Sequence, residues 1–259
     1  MSDLSTLKKG LEILFLLSKN HSGMNVSEIA SELKLPKSTV YRYIPTLKSK
    51  GLINESVKSG YYQLGLKILE LAQAARKMLK ISDIALPIMQ RLQTETEETV
   101  LLLSIQNRKV FCIEAVESNH TFRFSSKQGR AMYMHVGASA KTMMAYLDEE
   151  EQERIIREEG LYKFTKNTIT DPYQLKEDLK NIRKNGYAVT TGELDLGVRG
   201  IAAPILGKDE VLKAGLSISG PVDRITDSKV AIFVPLVIKA ANDIANLINK
   251  AGVSFEHKY

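Results

Sequence analysis

Between Val26 and Leu52 the chain reads VSEIASELKLPKSTVYRYIPTLKSKGL, and no other stretch restricts the fold so tightly. Asn25 and Glu28 have the Asn-x-x-Glu spacing of a capping box, which opens a helix running through Leu33. Lys34-Leu35-Pro36 ends it, because proline disfavours helix in the residue before it. A further helix spans Lys37 to about Ser49, and Gly51 suits its C-terminal stop. Val40, Ile44 and Leu47 recur at i, i+4 and i+7 and so face a core, while Lys37, Ser38, Thr39, Tyr41 and Arg42 give the leading face polar and donor side chains. Two short helices around a tight turn, the second one donor-rich, form the layout that places a helix in the DNA major groove.

In such a placement Arg42 can contact guanine through two parallel hydrogen bonds, worth about 1–3 kcal/mol of discrimination. Lys37, Ser38 and Thr39 suit phosphates and set register. Pro45 fits poorly inside this helix. It removes one backbone bond and clashes with the preceding turn, so either the helix kinks there or its groove-reading part ends near Ile44. Leu52–Glu55 and Tyr61–Leu64 are short extended runs around a Ser-Gly turn, which reads as a hairpin. After a helix-turn-helix this hairpin is a wing, and Lys58 on it would reach the DNA backbone or the adjacent minor groove.

The charge distribution agrees with this reading. Of the net charge of +6, residues 1–80 carry 13 Lys/Arg against 6 Asp/Glu, whereas residues 81–259 carry 23 against 24. A positive N-terminal module on a neutral remainder suggests nucleic acid at one end and another task at the other, although a merely solvated basic face has the same composition. A length of 259 residues suits two domains. The N-terminus has no signal-peptide pattern, no apolar run reaches the ~18 residues of a membrane span, and one cysteine, Cys112, excludes an internal disulfide or a cysteine-based zinc cage. A cytoplasmic protein without a cofactor is the simplest expectation.

Leu4–Lys19 reads as a first helix, with Leu7, Leu11, Leu14, Phe15 and Ser18 at helical spacing. Leu66–Lys80 is a helix whose Ile68, Leu71, Ala75 and Met78 make a short coiled-coil-like seam, suited to a linker that pairs with its copy or to packing on its own domain. Further helices are expected at Ser82–Glu95, Ser139–Leu147, Glu149–Glu159, Asp171–Asn185 and Asp227–Ala251. Strands are expected at Val100–Gln106, Lys109–Val116, Thr121–Ser125, Tyr187–Thr191, Arg199–Leu206 and Val211–Ser219. The fold class is therefore α+β: a mainly antiparallel sheet flanked by helices behind a winged helix-turn-helix. The expected division is a DNA-binding domain over 1–65, a linker helix over 66–80 and a sensing domain over 81–259.

Across nearly its whole length the chain resembles the IclR family of bacterial transcription regulators. The resemblance rests on LKKGLEILFLL, on the helix-turn-helix stretch with its Tyr62-Gln63-Leu64-Gly65 ending, and on three later segments, HVGASAKTMMAYL, GYAVTTGELDLGVRGIAAPI and GLSISGPVDRI. It implies a GAF/profilin-like effector domain, dimers that often form tetramers on near-palindromic operators, and a small organic acid or aromatic metabolite as effector. Matched position by position, the effector pocket would comprise Phe124, Ala138, Ser139, Thr190, Val198, Gly200, Ser217 and Ser219. Some members carry an acidic residue at the position of Thr190 and a cysteine at that of Gly200, so this pocket lacks one fixed acceptor and has more room.

The residues themselves point the same way. Ala138 and Ser139 open a helix whose free amides and positive dipole end suit an anion. Ser217 and Ser219 alternate on one strand and share a face, which could equally be solvent-facing. Arg199 is expected in a structural ion pair, with Glu193 as a candidate partner, and His135 as a hydrogen-bonded packing residue. No Gly-x-Ser-x-Gly, His-Glu-x-x-His or phosphate-binding glycine loop is present, so the expectation is no catalysis. The leading expectation is thus a ligand-responsive DNA-binding regulator, more readily a repressor than an activator; the alternative is an architectural DNA-binding protein with a vestigial effector domain.

Overall fold

The structure, a computed structural model, describes residues 5–20, 22–57, 59–77, 80–121, 123, 131–208 and 210–251. The chain divides into two compact units, residues 1–78 and 79–259.

In the first unit α1 (Ser5–Lys19) leads to β1 (Met24–Asn25), α2 (Val26–Glu32), α3 (Lys37–Ser49), β2 (Ile53–Glu55), β3 (Tyr61–Leu64) and α4 (Lys67–Lys77). The capping box forms: the Asn25 side chain accepts from the Glu28 amide at 3.0 Å, and the Asn25 amide donates to the Glu28 carboxylate at 2.9 Å. Val40, Ile44 and Leu47 of α3 enter a core with Ile13, Leu17, Ile29 and Ile53. The α-helix runs through Pro45 to Ser49. The wing pairs Ile53 with Leu64 and Glu55 with Tyr62, and Lys48 ties it to α3 through Glu55 at 2.8 Å. Gly65 follows it directly; a side chain there would run into the Gly51 carbonyl, so the close approach requires glycine. Two features go beyond the sequence. β1, too short for periodicity to reveal, adds an edge to β3. On α1 the covered side is that of Ile13 and Leu17, whereas Leu7, Leu11 and Phe15 are exposed; helical spacing defined a face without saying which face has a partner.

The second unit is one six-stranded antiparallel sheet in the order β6-β5-β4-β9-β8-β7, with β4 (Thr99–Gln106), β5 (Lys109–Val116), β6 (Ala131–Met132), β7 (Ala188–Thr191), β8 (Val198–Leu206) and β9 (Leu212–Pro221). Its helices are α5 (Lys80–Thr96), α6 (Gly137–Ala145), α7 (Glu149–Glu159), α8 (Pro172–Asn185) and α9 (Asp227–Ala251). β4 is buried on both sides: Val100 and Leu102 join the core under α5 and α9, while Leu101 and Leu103 join the core under α6 and α8. α9 is long and apolar enough to cross a bilayer, with a mean hydropathy of 1.6, which the sequence reading of apolar runs had not allowed for. It instead lays Phe233, Val237, Ala241, Ile244 and Ile248 into the first of these cores. The strand expected over Thr121–Ser125 falls largely outside the described residues, and the described Thr121 and Arg123 are not in a strand; β6 is the edge beside β5.

Candidate functional site

Two candidate sites emerge, one in each unit. On α3 the apolar side is anchored in the core, and Lys37, Ser38, Tyr41 and Arg42 are exposed with Thr39 half-buried. The helix thus presents donors outward from a fixed base. Lys58 lies outside the described residues.

In the second unit the sheet register assembles the other site. Thr190 of β7 and Ser219 of β9 flank Gly200 of β8 on one rung across three strands. The first turn of α6 passes over this rung. A methyl group at Gly200 would lie 3.4 Å from Ala138 Cβ and 3.5 Å from the Ser219 hydroxyl, so the bare backbone there keeps a space open between helix and sheet. A cavity of about 50 Å³ occupies that space, with Leu101, Val136, Ala138, Leu194 and Val198 as apolar wall and Ser139, Thr190 and Ser219 as hydroxyls. A second cavity of about 90 Å³ adjoins it through Met132, Val136 and Leu194 and reaches Tyr133 and Phe164. Tyr133 packs at 5.3 Å from Tyr162 and 5.6 Å from Phe164, so this end is aromatic.

The polar groups are not arranged as the sequence suggested. The amides that open α6 are not both free: Gly137 donates to Glu193 at 2.9 Å and Ala138 to the Thr190 hydroxyl at 2.9 Å. Glu193 is therefore the partner of the helix start and of Lys141, at 2.5 Å, not of Arg199. Arg199 is indeed ion-paired, but with Asp227 at 2.7 Å. Lys141, 3% exposed at its side chain, also reaches Asp178 at 2.7 Å. Ser217 is fully buried and receives the Ser139 hydroxyl at 2.9 Å, so it positions Ser139 rather than lining the cavity. Ser219 does line it, and among the described residues its hydroxyl has no hydrogen-bond partner although the residue is 7% exposed. The hydroxyl can therefore meet a molecule in the cavity without giving up a protein partner. Thr190 spends its acceptor on Ala138, which leaves its proton to donate. Neither serine faces bulk water. Phe124 lies outside the described residues.

The missed participants, Glu193 and Lys141, sit 52 residues apart, and only the fold brings them together. His135 is buried, with Nε2 3.0 Å from the Tyr162 carbonyl, and desolvation pulls its pKa below the usual histidine value. A larger cavity, about 360 Å³, lies elsewhere, between α7 and α8, and an ion pair between Lys176 and Glu153 links its walls. None of the expected residues lines it.

The profile of the IclR helix-turn-helix domain matches residues 6–55, and that of the C-terminal domain of bacterial transcriptional regulator IclR matches residues 73–246. The chain is 31% identical over 241 residues to the transcriptional repressor IclR of Escherichia coli K12, covering 92% of this chain and 88% of that protein. The crystal structure of Thermotoga maritima IclR superposes with a TM-score of 0.78 at 31% identity, over 95% of this chain and all of the other. An IclR homologue of Microbacterium hydrocarbonoxydans, crystallised in complex with 4-hydroxybenzoate, has the same fold, with a TM-score of 0.82 at 24% identity over 95% of this chain and 99% of that one. A donor-bearing winged helix-turn-helix and an antiparallel sheet with a covered cavity are here joined in the order those profiles require, and the chain belongs to the IclR family of bacterial transcription regulators.

Proposed function

We propose that this chain is a ligand-responsive transcription regulator, by preference a repressor, that binds double-stranded operator DNA through residues 1–65 and senses a small organic acid or related catabolic metabolite through residues 81–259. Residues 66–80 act as the linker helix. Lys37, Ser38, Thr39, Tyr41 and Arg42, with Lys58 on the wing, contact DNA. The effector is held by Ala138, Ser139, Thr190, Val198, Gly200 and Ser219, with Ser217 behind Ser139 and Phe124 on the wall. The protein works in the cytoplasm without a cofactor and catalyses no reaction.

The observation that carries the effector reading is the rung of Thr190, Gly200 and Ser219 under α6, where the Thr190 and Ser219 hydroxyls line one small cavity beside the start of the helix. Convergent donors at a helix start favour an acceptor-rich head such as a carboxylate. The ligand of the Microbacterium homologue makes hydroxybenzoates sensible first compounds to try. The exposed Leu7, Leu11 and Phe15 of α1 and Leu69 and Leu71 of α4 support self-association, since apolar residues gathered on helix surfaces mark contact sites. We assign them to a dimer on a near-palindromic operator, with a tetramer as the next step of assembly.

The test is a mobility shift on the promoter DNA upstream of its own gene, across a salt series and with a panel of organic acids. Affinity should fall steeply with salt; Arg42→Ala should broaden sequence preference and Lys37→Ala should weaken all sequences alike. A salt-independent or absent shift refutes DNA regulation. Retained DNA binding with a flat thermal response to a broad panel favours the architectural reading, because any specific ligand stabilises by mass action.

A further inference from the structure

We propose that Pro45 reads a thymine: its ring sits at the centre of the groove face of α3 and recognises the 5-methyl group of one operator thymine. The inference rests on the DNA-reading role of α3 proposed above.

Pro45 is the ninth of thirteen residues in α3. A proline in a helix interior gives no amide to the carbonyl four residues back, here Tyr41, and crowds the residue before it. That preceding residue, Ile44, is buried in the core. The helix nevertheless continues to Ser49. Pro45 is exposed and belongs to neither the buried nor the partly buried members of the surrounding core. α5 and α9 also hold exposed interior prolines, Pro87 and Pro235, so it is the place of Pro45 on the DNA-facing helix, not its being a helix proline, that points to a function.

Its position on the helix gives that function a form. At 3.6 residues per turn, Ser38, Tyr41, Arg42, Pro45 and Ser49 share one side, opposite Val40, Ile44 and Leu47, and Pro45 falls between the directions of Tyr41 and Arg42. It lies about 4.5 Å further along the axis than Arg42, a distance of one to two base pairs along the groove. A pyrrolidine ring offers neither donor nor acceptor, so it leaves the polar edges of guanine, adenine and cytosine unsatisfied. The thymine methyl is the one apolar group the major groove presents. The ring also loses no side-chain freedom on contact.

The experiment selects operator sequences from a random duplex library with the full-length wild-type protein. Each conserved thymine is then replaced singly by deoxyuridine, which removes only the methyl. At one thymine per half-site, one to two pairs from the guanine that responds to Arg42→Ala, affinity should fall about fourfold, the value of burying one methyl. Pro45→Ala, whose helix is better formed, should shrink that ratio toward one without lowering the melting temperature. Pro45→Gln should move the preference at that position from thymine to adenine. If a sequence-selective wild type binds thymine and uracil operators equally, or if Pro45→Ala keeps the ratio, Pro45 does not read thymine. If the wild type selects no sequence, the DNA-reading role of α3 fails first and this inference fails with it.

Discussion

Lys141→Met tests how the start of α6 is held over the sheet. In the native unit the Lys141 ammonium lies between Glu193 Oε1 at 2.5 Å and Asp178 Oδ2 at 2.7 Å, with side-chain exposures of 3% for Lys141, 9% for Glu193 and 34% for Asp178. Methionine keeps much of the buried stem and removes the charge. Asp178 is exposed enough to rehydrate, so its loss counts little. Glu193 is not, and it would keep only the Gly137 amide. Removing one partner of a buried pair costs about 3–5 kcal/mol, nearly all of it the penalty on the charge left behind; with one carboxylate stranded rather than two, the lower end applies. Native-state hydrogen exchange read on α6, β8 and β9 isolates this unit from the other, and about 3 kcal/mol corresponds to protection lowered by about two orders of magnitude. Lys141→Met with Glu193→Gln strands no charge, so the double variant should recover at least about 1 kcal/mol of the summed single losses. A Lys141→Met loss below about 1 kcal/mol, or strict additivity in the cycle, would mean that the ion pair does not hold the helix start.

Three further outcomes follow from the same geometry. Gly200→Val should abolish effector binding by calorimetry, because its side chain fills the space between Ala138 and Ser219, while DNA affinity without effector is retained; Gly200→Ala, whose methyl stays at 3.4–3.5 Å from its neighbours, should lose less. Ser219→Ala should weaken effector binding by about 0.5–1.5 kcal/mol, the net value of one hydrogen bond, and leave the melting temperature unchanged, because its hydroxyl has no partner among the described residues to lose. His135, with its pKa held below the usual 6.5, makes the unfolded state bind more protons at mildly acid pH. Its contribution is complete above about pH 6.5 and is lost as pH falls from there through the folded value. Urea midpoints of His135→Gln should therefore depend less on pH between about 5 and 7 than those of the wild type, and an unchanged slope would count against a buried neutral imidazole.

Much of this was legible in the sequence where the physics is local. The capping box at Asn25, the turn at Pro36, the buried stripe of α3 and the wing hairpin each depend on residues within a few positions of one another. Five of the six strands of the sheet lie within a few residues of where they were expected, β6 being the exception. What stayed hidden depended on partners far away in the chain. Period two put Ser217 and Ser219 on one face correctly, yet their positions along β9 separate their roles: Ser217 lies under the body of α6 and engages Ser139, whereas Ser219 lies at the rung beside Gly200. Charge alone suggested Arg199 for Glu193, because no sequence rule ranks Lys141 above it across 52 residues. The covered side of α1 is hidden for a related reason: a helix with apolar residues on two sides does not reveal which one its own unit packs against.

The cavity has one wall that cannot yield and one that can. Seven of the nine residues of α6 are buried, and the Lys141 pair pins its first turn, so sliding this helix would strip a packed surface and strand charges together. The opposite wall is the connection from β7 to β8. Its first part is braced: Thr165 and Thr168 donate to the carbonyls of Gly192 and Glu193 at 2.6 and 2.7 Å, and Asn167 to that of Thr191 at 3.1 Å. Beyond Glu193 the side chains turn outward, with Asp195, Leu196 and Gly197 exposed, while Leu194, Asp195 and Val198 still line the space. A ring-sized effector exceeds about 50 Å³. It therefore has to move Leu194 to Leu196, between the points where Gly192 donates to Val198 at 2.8 Å and Val222 to Gly197 at 3.0 Å, or extend past Leu194 into the aromatic cavity. A ligand shifts an equilibrium only by the difference in its affinity for the two states, so this connection, and not α6, is where that difference has to arise.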